Sequence, residues 1–268
     1  MKNRYKDRRI YFEELTQTSR EYLTKYIGLF HDSPKGCSIL EIGCGEGGNL
    51  VPYAENGCTV YGIDISKGKI VNAQLFFSEN GLTGRFICED FLQMDISGFI
   101  GTFDIIVAHD VIEHICPEEK DKFMQRAMQL LKTGGVMMVA FPSWQMPFGG
   151  HQQICRRRFA RIPFIHLLPK KIYEAYLKIC REEEWRIEEL MSIRESRMLI
   201  EIFEGICKKR NITILDRTLW LINPHYKVKF GLTPRKLNKW ICNIKWLRRH
   251  LTTSCFYILS NSKWNIPL

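Results

Sequence analysis

The sequence predicts an α/β protein built on a doubly wound, mostly parallel sheet of seven strands, with an antiparallel last strand and a mainly helical insertion. Three observations lead to this fold class. Short apolar runs alternate with helix-like periodicity from Ser38 to Phe141, which is the pattern of βαβ units. The first apolar run ends in closely spaced glycines. Strand-like runs return at 211–221 and 254–259, after a stretch interrupted by prolines.

The chain divides into four predicted parts. Residues 1–37 form an N-terminal helical lid, with one helix over 11–30. Residues 38–142 form a cofactor-binding core, and residues 143–210 form a substrate-binding insertion that is helical from 170 to about 209. Residues 211–268 complete the core with the last two strands. Between these strands, apolar residues at three- and four-residue spacing from Leu237 to Leu251 alternate with Lys and Arg, which predicts a basic amphipathic helix.

Within the core, elements follow one another in the order expected of a parallel sheet. Predicted strands lie at 39–42, 60–63, 86–88, 104–108 and 136–141. Two predicted helices begin at Asn49 and Lys67, and a third covers 118–131. In such a sheet, ligands bind at the carboxyl ends of the strands.

The segment Ile39–Leu50 predicts a strand, a tight turn and a helix. Gly43, Gly45 and Gly47 remove every Cβ at the turn, so the backbone can take positive φ and a nucleotide-like ligand can lie against it. Because Gly48 follows, the segment also satisfies the G-x-G-x-x-G spacing of nicotinamide-binding proteins. The glycines alone therefore do not choose the cofactor.

Acidic residues near the turn and at the next two strand ends narrow the choice. Glu41 lies two residues before the first glycine, and Asp64 ends the second apolar run 21 residues after Gly43, where a carboxylate can accept hydrogen bonds from both ribose hydroxyls. Asp90 and Phe91 end the third run, where a carboxylate and a backbone N–H can meet an adenine ring. The three strand ends converge on one adenosine.

In combination these motifs resemble those of the class I S-adenosylmethionine-dependent methyltransferases, from about Ser38 to Ser260, and most closely the small-molecule group related to ubiquinone biosynthesis enzymes. The resemblance implies a Rossmann-like methyltransferase fold and S-adenosylmethionine as cofactor. His109-Asp110-Val111-Ile112 stands where methyltransferases of base amino groups carry Asn/Asp-Pro-Pro-Tyr/Phe, so a nucleic-acid partner is not expected. The implied cofactor-binding residues are Glu41, Gly43, Cys44, Gly45, Gly47, Asn49, Asp64, Ile65, Asp90, Phe91, His109 and Asp110.

The implied reaction is a direct displacement, which needs a base only if the acceptor must lose a proton. Histidine is the usual base near neutral pH. We predict His151 as base or substrate contact, because Gly149 and Gly150 would let its loop close over the pocket, with His109 as a second catalytic candidate. His114 lies one turn after His109, and a structural or surface role is the alternative for all three. No metal is predicted, since His151 and Cys155 lack a second ligand pair.

Charge is spread unevenly over the 268 residues, whose net charge is +10. Residues 1–150 hold 15 Lys and Arg against 19 Asp and Glu, whereas residues 151–268 hold 24 against 10. A basic half can meet nucleic acid, an anionic membrane surface or an acidic substrate. The expected partners are a small-molecule or lipid-linked acceptor and, peripherally, an anionic membrane surface. Arg156–Arg158 is either a solvated loop or a site for phosphate or carboxylate.

A cytoplasmic location is expected, because the sequence has no apolar run of about 18 residues and its charged start is followed by no hydrophobic segment. The ten cysteines are scattered without a C-x-x-C pair, which predicts reduced thiols. Three functions remain open: a methyltransferase, a nicotinamide-dependent oxidoreductase, and a methyltransferase-like module that binds cofactor without turnover.

Overall fold

The computed structural model describes residues 7–31 and 35–261. Its centre is an eight-stranded sheet in the order β3-β2-β1-β4-β5-β8-β6-β7. The first five strands are parallel, and β8 runs antiparallel between β5 and β6. The strands are β1 (Ser38–Ile42), β2 (Thr59–Asp64), β3 (Arg85–Cys88), β4 (Phe103–His109), β5 (Leu131–Phe141), β6 (Thr213–Ile222), β7 (Arg235–Lys236) and β8 (Ser254–Ser260). The predicted fold class is confirmed, and the two-residue β7 adds one strand to the seven expected.

The helices surround this sheet. A continuous helical segment precedes β1, with a π-helical turn at Ser19–Leu23 between α1 and α2. The α-helices are α1 (Arg8–Thr18), α2 (Thr24–Gly28), α3 (Val51–Glu55), α4 (Lys67–Glu79), α5 (Lys120–Leu130), α6 (Lys170–Ile179), α7 (Glu184–Ser196), α8 (Ile200–Lys209), α9 (His225–Phe230), α10 (Lys239–Asn243) and α11 (Lys245–Leu251). Of the predicted lid, residues 1–6 and 32–34 lie outside the described residues.

The sheet separates two apolar cores. Leu40 and Ile106 point to one core, where Phe123 of α5 packs, and Ile39 and Ile105 point to the other, where Phe77 of α4 packs. Both faces are thus covered, which explains why β1, β4 and β5 are nearly continuous apolar runs rather than alternating ones. The covered faces leave the strand ends as the place where ligands can bind.

The predicted insertion divides into two parts by its packing. Segments from Cys155 to Leu190, including α6 and α7, bury a small core of their own. Helix α8 instead packs Ile200 and Phe203 into the main core beside β8. The part that stands apart from the sheet therefore ends before α8.

The single basic amphipathic helix predicted over Leu237–Leu251 is wrong. The segment forms α10 and α11, and Ile244 between them has a ψ of 101°, which no continuous α-helix contains. Ile241 packs against the main core, whereas Trp240 and Ile244 are exposed. The predicted apolar stripe is thereby divided between core and solvent. Within residues 7–31 and 35–261, no helix combines the length and apolar character needed to cross a bilayer.

Candidate functional site

The turn after β1 has the predicted backbone, with φ of 74° at Gly43, 54° at Gly45 and 80° at Gly47. The missing Cβ atoms do not all serve a ligand, however. A Cβ on Gly43 would lie 2.4 Å from Val111 Cγ2, and one on Gly47 would lie 3.0 Å from Phe86. Gly45 alone among the three has no atom within 4 Å of that position. The expectation that all three glycines expose backbone is corrected: Gly43 and Gly47 admit neighbouring side chains, and Gly45 leaves the open space.

Asp64 joins the tip of β2 to this turn. Its Oδ2 accepts from the backbone N–H of Gly45 at 2.9 Å, and its Oδ1 accepts from that of Ser66 at 2.8 Å. Lys69 Nζ lies 3.9 Å from Oδ2. Asp64 therefore closes a short turn ahead of α4, whose N-cap is Ser66, and also lies beside the open backbone at Gly45.

Glu41 lies beneath the turn and is 1% exposed. Its Oε1 accepts from Asn49 Nδ2 at 2.7 Å, while Oε2 has no hydrogen-bond partner. Burial raises the pKa of this carboxyl to about 8, although the Asn49 hydrogen bond lowers it. A buried carboxylate oxygen without a partner is suited to a cationic ligand group.

Other predicted cofactor residues contribute in different ways. Cys44 is 2% exposed and its Sγ fills the space left by Gly62, so only its backbone is available to a ligand. Ile65 is 72% exposed directly after β2. Asp90 Oδ1 accepts from the backbone N–H of Leu92 at 2.9 Å. The Phe91 ring is buried against Phe123, with 5.4 Å between centroids. Only the backbone N–H of Phe91 is therefore available for the predicted contact with adenine.

The N-terminal helix packs directly on the glycine turn. Arg8 forms two hydrogen bonds with the fully buried Glu46 carboxylate, at 2.7 and 2.8 Å. A Cβ on Gly48 would lie 2.5 Å from the carbonyl oxygen of Phe12. Ser19 Oγ donates to the carbonyl of Asn49 at 2.8 Å. These contacts place the N-terminal helical segment over the turn after β1, at the carboxyl end of the strand.

His109 and Asp110 end β4. The His109 side chain is only 6% exposed and its ring meets the edge of Phe256, with 6.1 Å between centroids. His109 Nδ1 lies 3.5 Å from Asp110 Oδ2, and Nε2 has no hydrogen-bond partner. Asp110 takes a φ of 56° and turns its half-exposed carboxylate toward the site. The structure thus packs His109 under the strand end.

His151 lies instead beside His114, with 5.3 Å between ring centroids. Burial and the neighbouring His151 lower the pKa of His114 to about 4, and burial lowers the pKa of His151. Glu113 completes the group: it is 4% exposed, and neither carboxylate oxygen has a hydrogen-bond partner. Burial, with Asp110 nearby, holds the pKa of Glu113 well above its ordinary value.

The expectation of no metal considered only His151 with Cys155, and Cys155 is buried in the small core of the insertion. Glu113, His114 and His151 each offer one ligand atom, and these atoms lie within 4.8 Å of one another. A carboxylate and two imidazoles are a donor set that divalent transition ions accept. The signal for Glu113 was its place, next to a histidine just after a strand end.

Gly149 and Gly150, which are predicted to let the His151 loop close over the pocket, are closely packed in this structure. A Cβ on Gly149 would lie 2.2 Å from the carbonyl oxygen of Trp144, and one on Gly150 would lie 2.4 Å from His166 Cβ. The glycines allow close packing, and the turn that carries His151 is held in place.

Two tyrosines approach the same site and were missed from the sequence. Tyr11 belongs to α1 and Tyr226 to α9, and α9 packs on α1 through an edge contact between Tyr11 and His225. Burial raises the pKa of both phenols, and the Asp110 carboxylate adds to the effect. Tyr226 could not be predicted, because α9 lies between β6 and β7 and no sequence pattern indicates that this connection reaches Asp110 after β4.

Comparison with known proteins assigns the segment that builds most of this site. Residues 39–135, from β1 into β5, match the family model described as "Methyltransferase domain". The segment from β1 into β5 is thus similar to methyltransferase domains. The ubiquinone biosynthesis O-methyltransferase of Chelativorans sp. (strain BNC1) is 36% identical over 106 residues, which is 40% of this chain and 40% of that protein. The enzyme of the same name from Azorhizobium caulinodans is 31% identical over 126 residues, 45% of this chain and 47% of that protein.

The chain thus spans less than half the length of these curated relatives. Solved structures resemble the chain over almost its whole length. Magnesium protoporphyrin IX methyltransferase from Synechocystis PCC 6803 with bound SAH aligns with a TM-score of 0.56 and 17% identity, covering 93% of this chain and 84% of that one. Phosphoethanolamine N-methyltransferase 2 from Haemonchus contortus, in complex with S-adenosyl-L-methionine, gives 0.57 and 17%, covering 96% and 57%. These likenesses confirm the Rossmann-like methyltransferase fold.

Proposed function

We propose that this protein is an S-adenosylmethionine-dependent methyltransferase that acts on a small-molecule or lipid-linked acceptor. The observation that carries the proposal is the arrangement of Glu41, Gly45 and Asp64 at one strand edge within the segment that is similar to methyltransferase domains. The unpartnered Glu41 oxygen suits the ammonium group of the donor, the open backbone at Gly45 suits its body, and Asp64 suits its ribose hydroxyls.

The bound donor supplies an electrophilic methyl group. An oxygen, nitrogen or carbon atom of the acceptor attacks this methyl carbon in line with the C–S bond, which breaks as the new bond forms, and S-adenosylhomocysteine leaves. The chain's own residues hold the two reactants in near-attack geometry, which supplies up to roughly 7–11 kcal/mol. Helices α1 and α9 pack against each other at the edge of the site through Tyr11 and His225. Tyr11 and Tyr226 stand where they can orient an acceptor against Asp110.

His151 and His114 are the proposed proton acceptors for an acceptor hydroxyl. Their lowered pKa values keep both imidazoles neutral near pH 7, the form that takes a proton. Buried His109 remains a weaker candidate, since its contacts are with Phe256 and Asp110.

A second candidate role for this histidine pair is to hold a divalent cation together with Glu113. Neither buried oxygen of Glu113 has a hydrogen-bond partner, which favours this role, since a buried carboxylate without hydrogen bonds is costly unless it is protonated or bound to a cation. Such a cation at the acceptor side would polarise an acceptor oxygen and lower its pKa. It would replace the expectation that no metal is needed.

The fold by itself does not establish turnover. One solved structure that resembles the chain is the [4+2]-cyclase SpnF, with a TM-score of 0.53 and 15% identity, covering 88% of this chain and 78% of that one. A cofactor-binding module without methyl transfer therefore stays as an alternative. A nicotinamide-dependent oxidoreductase would use the glycine spacing but leaves the unpartnered Glu41 oxygen without a role.

Calorimetric titration of the purified protein with S-adenosylmethionine, S-adenosylhomocysteine and NAD⁺ tests the proposal. Micromolar binding of the first two without NAD⁺ supports it, and acceptors are then screened from lipid and quinone precursors. Binding of NAD⁺ alone contradicts it. Donor binding without transfer to any acceptor favours the module.

The proposal includes a cytoplasmic location and excludes nucleic acid as acceptor. All ten cysteines are free, as a reducing compartment requires. The strongly basic residues 151–268 suit an anionic membrane surface, which a lipid-linked acceptor would share.

A further inference from the structure

The loop over residues 156–164 exposes an unusual set of side chains. Eight of its nine residues are exposed, and only Ala160 is buried. The exposed set contains four arginines and three large apolar residues, with Phe159 at 75% exposure and Ile162 and Phe164 each at 42%. Single exposed apolar residues are common on protein surfaces, whereas a group of large exposed apolar residues indicates an interaction site.

The loop is held in this form by buried polar groups. The Glu182 carboxylate, which is 8% exposed, accepts from the backbone N–H groups of Arg156 and Arg157 at 2.9 and 2.7 Å. At the other end, fully buried Gln152 donates to the carbonyl of Pro147 at 2.8 Å and contacts that of Ile162 at 3.3 Å. The exposed side chains are therefore presented by ordered structure.

Helices α10 and α11 extend the same surface. The Phe164 ring lies 6.3 Å from that of His250, and the His250 ring lies 4.6 Å from that of Trp246. Trp246 is 65% exposed, and Trp240 and Ile244 are 60% and 45% exposed. We name the loop 156–164 together with these α10–α11 residues the basic-aromatic face.

Positive charge on the face is not neutralised locally. Among the described residues, no carboxylate forms an ion pair with Arg156, Arg157 or Arg158, nor with Lys239 or Lys245 of α10–α11. The Glu182 carboxylate is buried behind the loop and bonds to its backbone. The face is thus positive and apolar together.

We propose that the basic-aromatic face docks on the surface of an anionic lipid bilayer. Tryptophan and phenylalanine rings partition into the headgroup region, and each Lys or Arg near an anionic surface strengthens binding by about fivefold. The exposed Ile162 and Ile244 distinguish this partner from nucleic acid, because aliphatic side chains gain little from phosphates and base edges but are buried by acyl chains.

The docking bears on the proposed function through the position of His151. This residue begins the segment whose far end is the exposed loop, five residues before Arg156, so a docked protein would hold its acceptor site near the bilayer. The docking extends the proposed methyl transfer to a lipid-linked acceptor. Membrane docking is measured as vesicle binding, without any methyl-transfer assay. A protein that fails to dock can therefore be distinguished from one that fails to transfer a methyl group.

The test is co-flotation of the full chain with vesicles of phosphatidylcholine, with and without phosphatidylglycerol. We expect flotation only with the anionic vesicles, weakened by added salt. Phe164→Ser with Trp246→Ser, and separately Arg157→Glu with Arg158→Glu, should each lower binding at least about tenfold. Ile100→Ser with Lys122→Glu changes an exposed apolar and an exposed basic residue away from the face and should leave binding unchanged.

Retained donor affinity and an unchanged melting temperature show that each variant is folded. Equal flotation with neutral vesicles, or equal loss in the control variant, would overturn the proposal. So would vesicle binding that survives both face variants. Absence of vesicle binding with tight, steeply salt-dependent binding to RNA would assign the face to nucleic acid instead.

Discussion

The backbone N–H of Gly45 donates to Asp64 Oδ2 at 2.9 Å, so the carboxylate at the tip of β2 is tied to the open turn after β1. The other carboxylate oxygen accepts from Ser66. Each oxygen has two lone pairs, so each retains one for a ligand hydroxyl. One residue thereby shapes the turn and offers acceptors to the ribose.

Asp64→Ala should weaken binding of S-adenosylmethionine at least about tenfold, because two hydrogen bonds to an ionised acceptor are lost. Calorimetry measures the change. Asp95→Ala is a matched control, since the exposed Asp95 also accepts from a backbone N–H, that of Ser97 at 2.9 Å, but in the connection before β4. Unchanged affinity in Asp64→Ala would contradict the role assigned to the tip of β2.

Substitution by alanine should have different effects at Gly43 and Gly45, two glycines of the same turn. Gly43→Ala adds a Cβ 2.4 Å from Val111 Cγ2 at positive φ, and it should lower the free energy of unfolding by about 1–3 kcal/mol. Urea unfolding measures this change. Val111→Ala in the same chain should restore part of the loss, and additive losses would show that the two sites do not touch.

Gly45→Ala meets open space, so its cost to folding is the strain of positive φ, about 1 kcal/mol. Its larger effect should be on donor affinity, since the new Cβ occupies the space beside Asp64. Gly81→Ala is a matched control, because Gly81 also has a positive φ of 65° and open space around its Cβ position, but lies between α4 and β3. Intact donor affinity in a folded Gly45→Ala would place the donor elsewhere.

The features that could be predicted are those that depend on local sequence patterns. Alternating apolar runs gave the sheet, and the spacing from Gly43 to Asp64 placed two strand ends side by side, as the parallel pairing of β1 with β2 confirms. The break at Ile244 could not be foreseen, because it depends on Ile241 packing into the core and Arg248 pairing with Glu201 at 2.8 Å. Periodicity reports which residues are apolar, and tertiary contacts decide which are buried.

The histidine cluster shows the same limit. His151 was predicted from its type, but its neighbours His114 and Glu113 are distant in sequence and meet it only through the path of the chain after β5. The contribution of Tyr226 likewise depends on α9 crossing to α1. Such long-range contacts leave no local pattern.

Glu41 should make stability depend on pH. Its pKa is raised by burial to about 8 from an ordinary value of 4.5, so the folded protein binds a proton that the unfolded chain releases between these values. Its stabilising contribution is full below pH 4.5 and is lost as pH rises toward 8, with a slope of at most about 1.4 kcal/mol per pH unit. Urea unfolding of the donor-free protein across this range measures the slope. Glu41→Gln should flatten it, and an equal slope in that variant would contradict the assignment.

His151→Ala should lower kcat and spare donor affinity, because the imidazole acts on the acceptor side. His114→Ala should do the same more weakly if it supports His151. Since the pKa of each imidazole is lowered, the base form is lost only as pH falls below the ordinary value of 6.5, and the acid limb of the rate profile should lie there. Steady-state kinetics with the identified acceptor measures both effects. A loss of donor affinity equal to the loss of kcat would show a structural role.

The group formed by Glu113, His114 and His151 should bind Co²⁺, an ion whose visible absorption reports coordination by nitrogen and oxygen. Three ligand atoms within 4.8 Å and two unpartnered carboxylate oxygens favour binding. Titration of tag-free protein should give a saturable spectrum that Glu113→Gln and His151→Ala weaken at least about tenfold. His250→Ala removes a histidine outside the group and should bind as the parent does. If all four proteins bind equally or not at all, the three residues hold no metal, and the histidines act on protons alone.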